Sequence, residues 1–219
     1  MKIFNKILVA FLLLGFASNA QESQLAIAKL KLENSAVITV NGNTGLAEFV
    51  RFPNCNAMTL TGATLQQKAL SFLQDHKAIY NIESVDQTLV FDKVKTDNYG
   101  LKSVILRQAH KGVPVFDGQL RFHFNSDQKL TSINGNYIKG VSKLNHIPTL
   151  SASQAEGIAI SAIREQGLNR SGQPLFSYSN TLYVFPKGLV QRHISSLQLV
   201  YEVEIRNEVD VREFLYVDA

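Results

Sequence analysis

Five histidines, one cysteine and eighteen acidic residues are the groups in this 219-residue chain that could do chemistry. Metal-assisted hydrolysis needs two imidazoles on one helix face with a carboxylate beside the open metal position, the geometry that His-Glu-x-x-His provides. Here His76, His110, His123, His146 and His193 are followed by Lys, Lys, Phe, Ile and Ile, and no two lie four apart. A metal site would have to be assembled from distant histidines. His123 sits at an outward position of an alternating segment and reads as a solvated or rim residue. Cys55 is the only cysteine, which excludes an internal disulfide. Its neighbours Pro53, Asn54 and Asn56 offer neither a helix N-terminus nor a cation to stabilise a thiolate, so it reads as a tolerated free thiol in a loop. Gly42-Asn-Thr-Gly45 has the look of a phosphate cradle but precedes a strand rather than a helix, and a hairpin turn explains it. No Gly-x-Ser-x-Gly elbow, P-loop or dinucleotide fingerprint is present, and the acids are scattered. No cofactor site is implied. Binding is the mode left open.

The densest punctuation lies in Arg107–Leu120, where Gly112, Pro114 and Gly118 fall within seven residues. Pro114 fixes its own φ, lacks an amide donor and pushes Val113 extended. Residues 112–115 are therefore expected as an edge strand or extended connector. Asp117-Gly118 then permits a tight turn into residues 119–125, where Leu120, Phe122 and Phe124 alternate with Gln119, Arg121, His123 and Asn125. The expectation is a strand, an irregular corner and a second strand.

The elements that position this stretch follow from periodicity. Residues 21–35 show a partial alternation through Leu25, Ile27, Leu30 and Leu32, read as a first strand or a loose segment. Residues 36–40 and 46–52 flank a glycine-containing turn, a hairpin signal. Thr64-x-x-Gln67 is a capping box opening a helix to about residue 76, with Leu65, Ala69, Phe72, Leu73 and His76 on one face. Strands are expected at 87–94, 103–109, 119–125 and 130–138, with a turn at Asp97–Gly100. Residues 139–148 interrupt all periodicity and read as a linker. A second unit repeats the layout. Ser151-x-x-Gln154, or Ser153-x-x-Glu156, caps a helix carrying Ala155, Ile158, Ala159, Ala162 and Ile163, and Gly167 closes it. Strands follow at about 181–185, 197–206 and 211–217. The fold class is α+β: two small units, each a helix on an antiparallel sheet.

Composition bounds the rest. A hydrophobic content of 45% with 18% charged residues is that of a globular protein. Residues 1–20 read as a secretory leader: Lys2 and Lys6 precede an apolar core at 7–16, and Ser18-Asn19-Ala20 places small residues for cleavage after Ala20. That core is too short to span a bilayer, which needs about twenty residues. The chain is thus expected to be secreted, extracellular or periplasmic, without a stable membrane anchor. Removing the two leader lysines leaves 20 basic against 18 acidic residues, a net charge of +2, which gives no argument for nucleic acid.

Asp97-x-x-Gly100, Val104, Arg107-Gln108, Gly112-Val113-Pro114-Val115-Phe116 and Asn134-Gly135 together resemble the fungalysin/thermolysin propeptide domain of secreted zinc metalloprotease precursors. Two positions depart from the family. His110 stands where an aromatic, commonly tyrosine, is usual, and Asp117 where glycine is common. Ser151-x-x-Gln154-Ala155, Leu182–Pro186, Leu199-x-Tyr201-x-Val203 and Tyr216–Ala219 resemble the PepSY module that commonly follows it. The resemblance implies a leader at 1–20, a β-hairpin leader segment at 21–60, a propeptide-like domain at 61–139 and a PepSY-like domain at 148–219. It implies a non-catalytic pro-region that assists folding of a cognate zinc metalloprotease domain and inhibits it until cleaved off. The zinc would belong to that protease. The contact stretch it implies is Gln108, His110, Gly112, Val113, Pro114, Val115 and Phe116, with the strand ending Val217-Asp218-Ala219 as a second candidate. A stand-alone exported inhibitor of the same make-up is the alternative.

Overall fold

The computed structural model describes residues 20–188 and 194–219, so the expected leader, Ala20 apart, and His193 lie outside the described residues. The fold is mixed α+β, with helices packed on β-sheet. The chain divides into two compact units. One takes in the chain up to Gln108 together with Gly118–Lys139, and the other comprises Ala109–Asp117 and Gly140–Ala219.

In the first unit, helix α1 occupies residues 20–34, where the alternation suggested a strand or loose chain. Ser23, Ile27 and Leu30 are buried while Leu25 and Leu32 are 71% and 84% exposed. The burial spacing is that of one helix face, and the apparent alternation paired buried with solvated leucines. Strands β1 (Val37–Val40) and β2 (Ala47–Arg51) form the expected hairpin. Asn41 Oδ1 closes its turn by accepting the amides of Asn43 and Thr44 at 3.0 and 3.1 Å. Helix α2 (Leu65–His76) opens on the Thr64–Gln67 capping box and buries Ala69, Phe72 and Leu73. A single helical turn, α3 (Val85–Thr88), leads into β3 (Leu89–Thr96). Strands β4 (Lys102–His110), β5 (Val113–Phe124) and β6 (Leu130–Asn136) complete the unit.

The antiparallel order is β1-β2-β6-β5-β4-β3. Strand β2 pairs with β6 through Val50 and Ile133, so the amino-terminal hairpin is part of this sheet and not a leader that precedes it. The core lies between α2 and the sheet, where Phe72 meets Phe52 and Phe122 in edge-to-face contacts with centroids 6.3 and 6.1 Å apart. Leu120, Phe122 and Phe124 are buried, as their alternation predicts.

The second unit carries α4 (Ala152–Glu165), β7 (Phe176–Lys187), β8 (Ser196–Arg206) and β9 (Arg212–Asp218). The Ser151–Gln154 capping box starts α4. Gly167, at φ +67°, ends it: the Leu168 and Gly167 amides donate to Ile163 O and Arg164 O, a Schellman closure. Ala155, Ala159 and Ile163 pack on Tyr201, Val203 and Ile205 of β8. Strands β7, β8 and β9 are antiparallel, but Val115 of β5 pairs with Val184 of β7 in parallel. The second sheet is therefore mixed rather than purely antiparallel. Strand β7 starts five residues earlier than its apolar run, because Ser177, Ser179 and Asn180 pair with β8 despite their polarity.

Gly135 has φ +132°, and a Cβ built there would stand 2.0 Å from the carbonyl oxygen of Gln119. Backbone cannot yield as a flexible side chain does. Gly135→Ala is expected to destabilise the fold by about 2–4 kcal/mol through strain and forced separation of β5 from β6. Urea unfolding followed by circular dichroism measures this.

Candidate functional site

The stretch Arg107–Leu120 is a hairpin whose second arm runs on as one strand. Lys111 and Gly112 have φ of +48° and +87°, the two left-handed residues of a tight two-residue turn between β4 and β5. The expected corner at residues 112–118 is therefore a turn at 111–112 followed by regular strand, with Pro114 inside β5. No second turn occurs at Asp117-Gly118. Instead Asp117 takes φ +54° and both Gly118 and Gln119 lie opposite Asn136, a β-bulge. The bulge flips the burial parity: Val115 is buried before it, and Gly118 and Leu120 after it. Asp117 sits in the conformation that glycine adopts without strain, and aspartate is one of the few other residues that tolerate it.

Gln108 is 1% exposed. Its amide makes both possible bonds to one residue, donating from Nε2 to Ile138 O at 2.7 Å and accepting at Oε1 from Ile138 N at 2.8 Å. This replaces a strand partner for Ile138, just beyond the end of β6. Arg107 points outward and donates from Nε to Asp92 Oδ2 at 2.9 Å. That hydrogen bond holds the Asp92 carboxyl below its usual range. The pair is exposed and contributes little.

Within the second unit, the His110 ring meets His146 edge-to-face, with centroids 5.9 Å apart. Val113 and Pro114 are half-buried, Gly112 is exposed, and Val115 is buried against β7. Phe116 stacks with Tyr183, Phe185 and Tyr216 at 5.8, 5.0 and 5.6 Å. Such pairs are worth about 0.5–1.5 kcal/mol each beyond the area they bury. This aromatic group lies on the sheet face opposite α4. Of the seven predicted contact residues, Gln108 and Val115 are enclosed, and the solvent meets His110, Gly112, Val113, Pro114 and Phe116.

Glu204 alternates with Val203 and Ile205 along β8, a spacing that suggests an outward carboxylate, yet it is 5% exposed. Arg206 and Arg212 cover it, each donating from Nε to Glu204 Oε1 at 2.7 and 2.9 Å. Burial would push its carboxyl up, but the hydrogen bonds from Arg212 and Arg206 and their charges hold it below the ordinary value. The Arg206 guanidinium lies 3.4 Å over the Tyr178 ring. The signal available was the pair of arginines flanking the turn at 207–211. That turn is built by Asn207 Oδ1, which accepts the amides of Val209, Asp210 and Val211 at 3.0, 2.8 and 2.9 Å. Tyr216 donates to Glu202 Oε2 at 2.7 Å, and burial followed by this bond pushes its phenol up to about 12.

Among the described histidines, His76 lies on Phe72, His110 and His146 meet each other, and His123 bonds Asn134 Oδ1 at 2.7 Å. His123 is half-buried, the rim position of the two expected. Cys55 is exposed in a 3₁₀ turn. Among the described residues no group of three or more His, Cys, Asp or Glu side chains could hold a metal ion. No described helix is long and apolar enough to cross a membrane.

Two outcomes follow from these bonds. Gln108→Ala orphans the N–H and C=O of Ile138 and is expected to cost about 2–4 kcal/mol in chemical denaturation. Glu204 has a depressed folded pKa, so its contribution is full above the unfolded pKa and is lost as pH falls through the folded one. Glu204→Gln should lower the melting temperature at neutral pH and flatten its decline on acidification, read by thermal scans from about pH 7 to about pH 3.

No curated protein matches this chain. Residues 87–137, which span β3 to β6 and the Lys111-Gly112 turn, match the family described as Fungalysin/Thermolysin Propeptide Motif, so this part of the chain is a propeptide-type motif.

Proposed function

We propose that the chain is the non-catalytic pro-region of a secreted zinc metalloprotease, which assists folding of the protease domain and inhibits it until cleaved off. One observation carries this: the propeptide motif at 87–137 has the β4–β5 hairpin at its centre. The motif supports a propeptide-type, regulatory role, and the step to inhibition rests on the shape of that hairpin. In this reading residues 1–20 direct export and are removed, residues 61–139 are the propeptide-like domain and residues 148–219 a PepSY-like one. The zinc sits in the protease.

The protease contact is made by His110, Gly112, Val113, Pro114 and Phe116. Gln108 and Val115 act from beneath, Gln108 by bonding Ile138 and Val115 by pairing with Val184. The turn suits this task because two left-handed residues make a narrow tip. The half-buried Val113 and Pro114 present apolar surface beside it, and Pro114 offers no amide to a foreign strand.

The purified chain is expected to inhibit a thermolysin-like zinc protease in trans. Val113→Glu and Pro114→Glu should each raise the inhibition constant at least about tenfold, or about 1.4 kcal/mol. An unchanged circular dichroism spectrum shows that the variants fold. No inhibition, or inhibition that both variants leave undiminished, contradicts the reading.

A further inference from the structure

Strand β9 is the last strand in the order β7-β8-β9, so one of its two sides is an open edge among the described residues. Its pairing with β8 has no register break. At the two ends of the strand, Asn207 N–H donates to Val211 O and Ala219 N–H donates to Leu199 O, both at 3.0 Å. Odd-numbered residues therefore turn their backbone groups to β8. The even-numbered Arg212, Phe214, Tyr216 and Asp218 turn theirs to the open edge. An open edge is a template for another strand, and proteins commonly blunt such edges with charge. Here the charges do something else. Arg212 and Asp218 stand at opposite ends with opposite signs, and the residues between them, apart from Glu213, are uncharged: Phe214, Leu215, Tyr216 and Val217.

We infer that β9 is a self-complementary edge that pairs antiparallel with β9 of a second copy of this chain, about a two-fold axis at Leu215. That register puts Arg212 opposite the partner's Asp218 and Phe214 opposite the partner's Tyr216. Both are pairs of even-numbered residues, so both exchange the backbone hydrogen bonds that the edge leaves open. Moving the axis to Phe214 or Tyr216 keeps the backbone parity but separates the charges, and a parallel arrangement brings like charges together. The aromatic face gains as well. Phe214 and Tyr216 are 47% and 45% exposed in the single chain, and the pairing places them side by side across the axis. Arg212 keeps its bond to Glu204 while its guanidinium remains largely exposed for the partner's carboxylate. An interface of one strand pair is small, so the dimer is of the weak, reversible kind. The inference concerns the second unit alone and does not depend on the protease reading.

Sedimentation of the purified chain over roughly 1–100 μM tests it. A reversible monomer–dimer equilibrium is expected, weakening with salt. Asp218→Arg places arginine against arginine at both ends and should weaken the dimer at least about tenfold. Phe214→Pro removes an outward amide without touching a bond to β8, so it should abolish the dimer while the melting temperature holds. A chain that stays monomeric throughout, its edge then free for a strand of another protein, overturns the inference. So does a dimer that either folded variant leaves unweakened.

Discussion

The β-bulge at Gly118-Gln119, entered through the left-handed Asp117, is the constraint on which the burial pattern of β5 depends. A strand buries alternate residues, so one extra residue exchanges its faces. Before the bulge Val115 is buried and Phe116 joins the ring cluster of the second unit; after it Leu120, Phe122 and Phe124 enter the core of the first. The even-numbered residues after the bulge thereby take the buried face that Val115 holds before it. The left-handed conformation of Asp117 makes the step, and Gly135 permits the close approach of β6 that follows it.

Residues named by one motif turn out to have different physical duties. Gln108 satisfies the backbone of Ile138, Gly135 admits the Gln119 carbonyl, and Asp117 supplies a left-handed step. Gln108 is buried and Gly135 half-buried, while Asp117 is exposed and makes that step through its backbone. At the turn, Gly112 is exposed and Val113 and Pro114 are half-buried. The motif thus mixes a buried backbone partner, a close-approach glycine and exposed turn residues.

Much of the fold was legible in the sequence because its signals are local. Both capping boxes, the Asn41–Gly45 turn, the Gly167 helix end and the alternation of Leu120, Phe122 and Phe124 are set by residues a few positions apart. What was missed is non-local or ambiguous in period. Residues 25, 27, 30 and 32 fit an alternation over too short a span to exclude a helix, and only the burial of Ser23 resolves them. Gly118 read as part of a turn because its strand environment depends on β6, and the extended stretch around Pro114 joins a sheet only through β7, far along the chain. The burial of Glu204 required two arginines brought together by a turn. Within the proposed contact stretch, the enclosed Gln108 and Val115 could be told from the solvent-facing residues only in three dimensions.

The central claim is that the β4–β5 hairpin tip faces a protease. Hydrogen–deuterium exchange of the chain alone and with an inactivated thermolysin-like zinc protease tests it most directly. The account predicts that added protection concentrates in residues 109–117. Protection confined to other segments, with 109–117 exchanging as in the free chain, would contradict it.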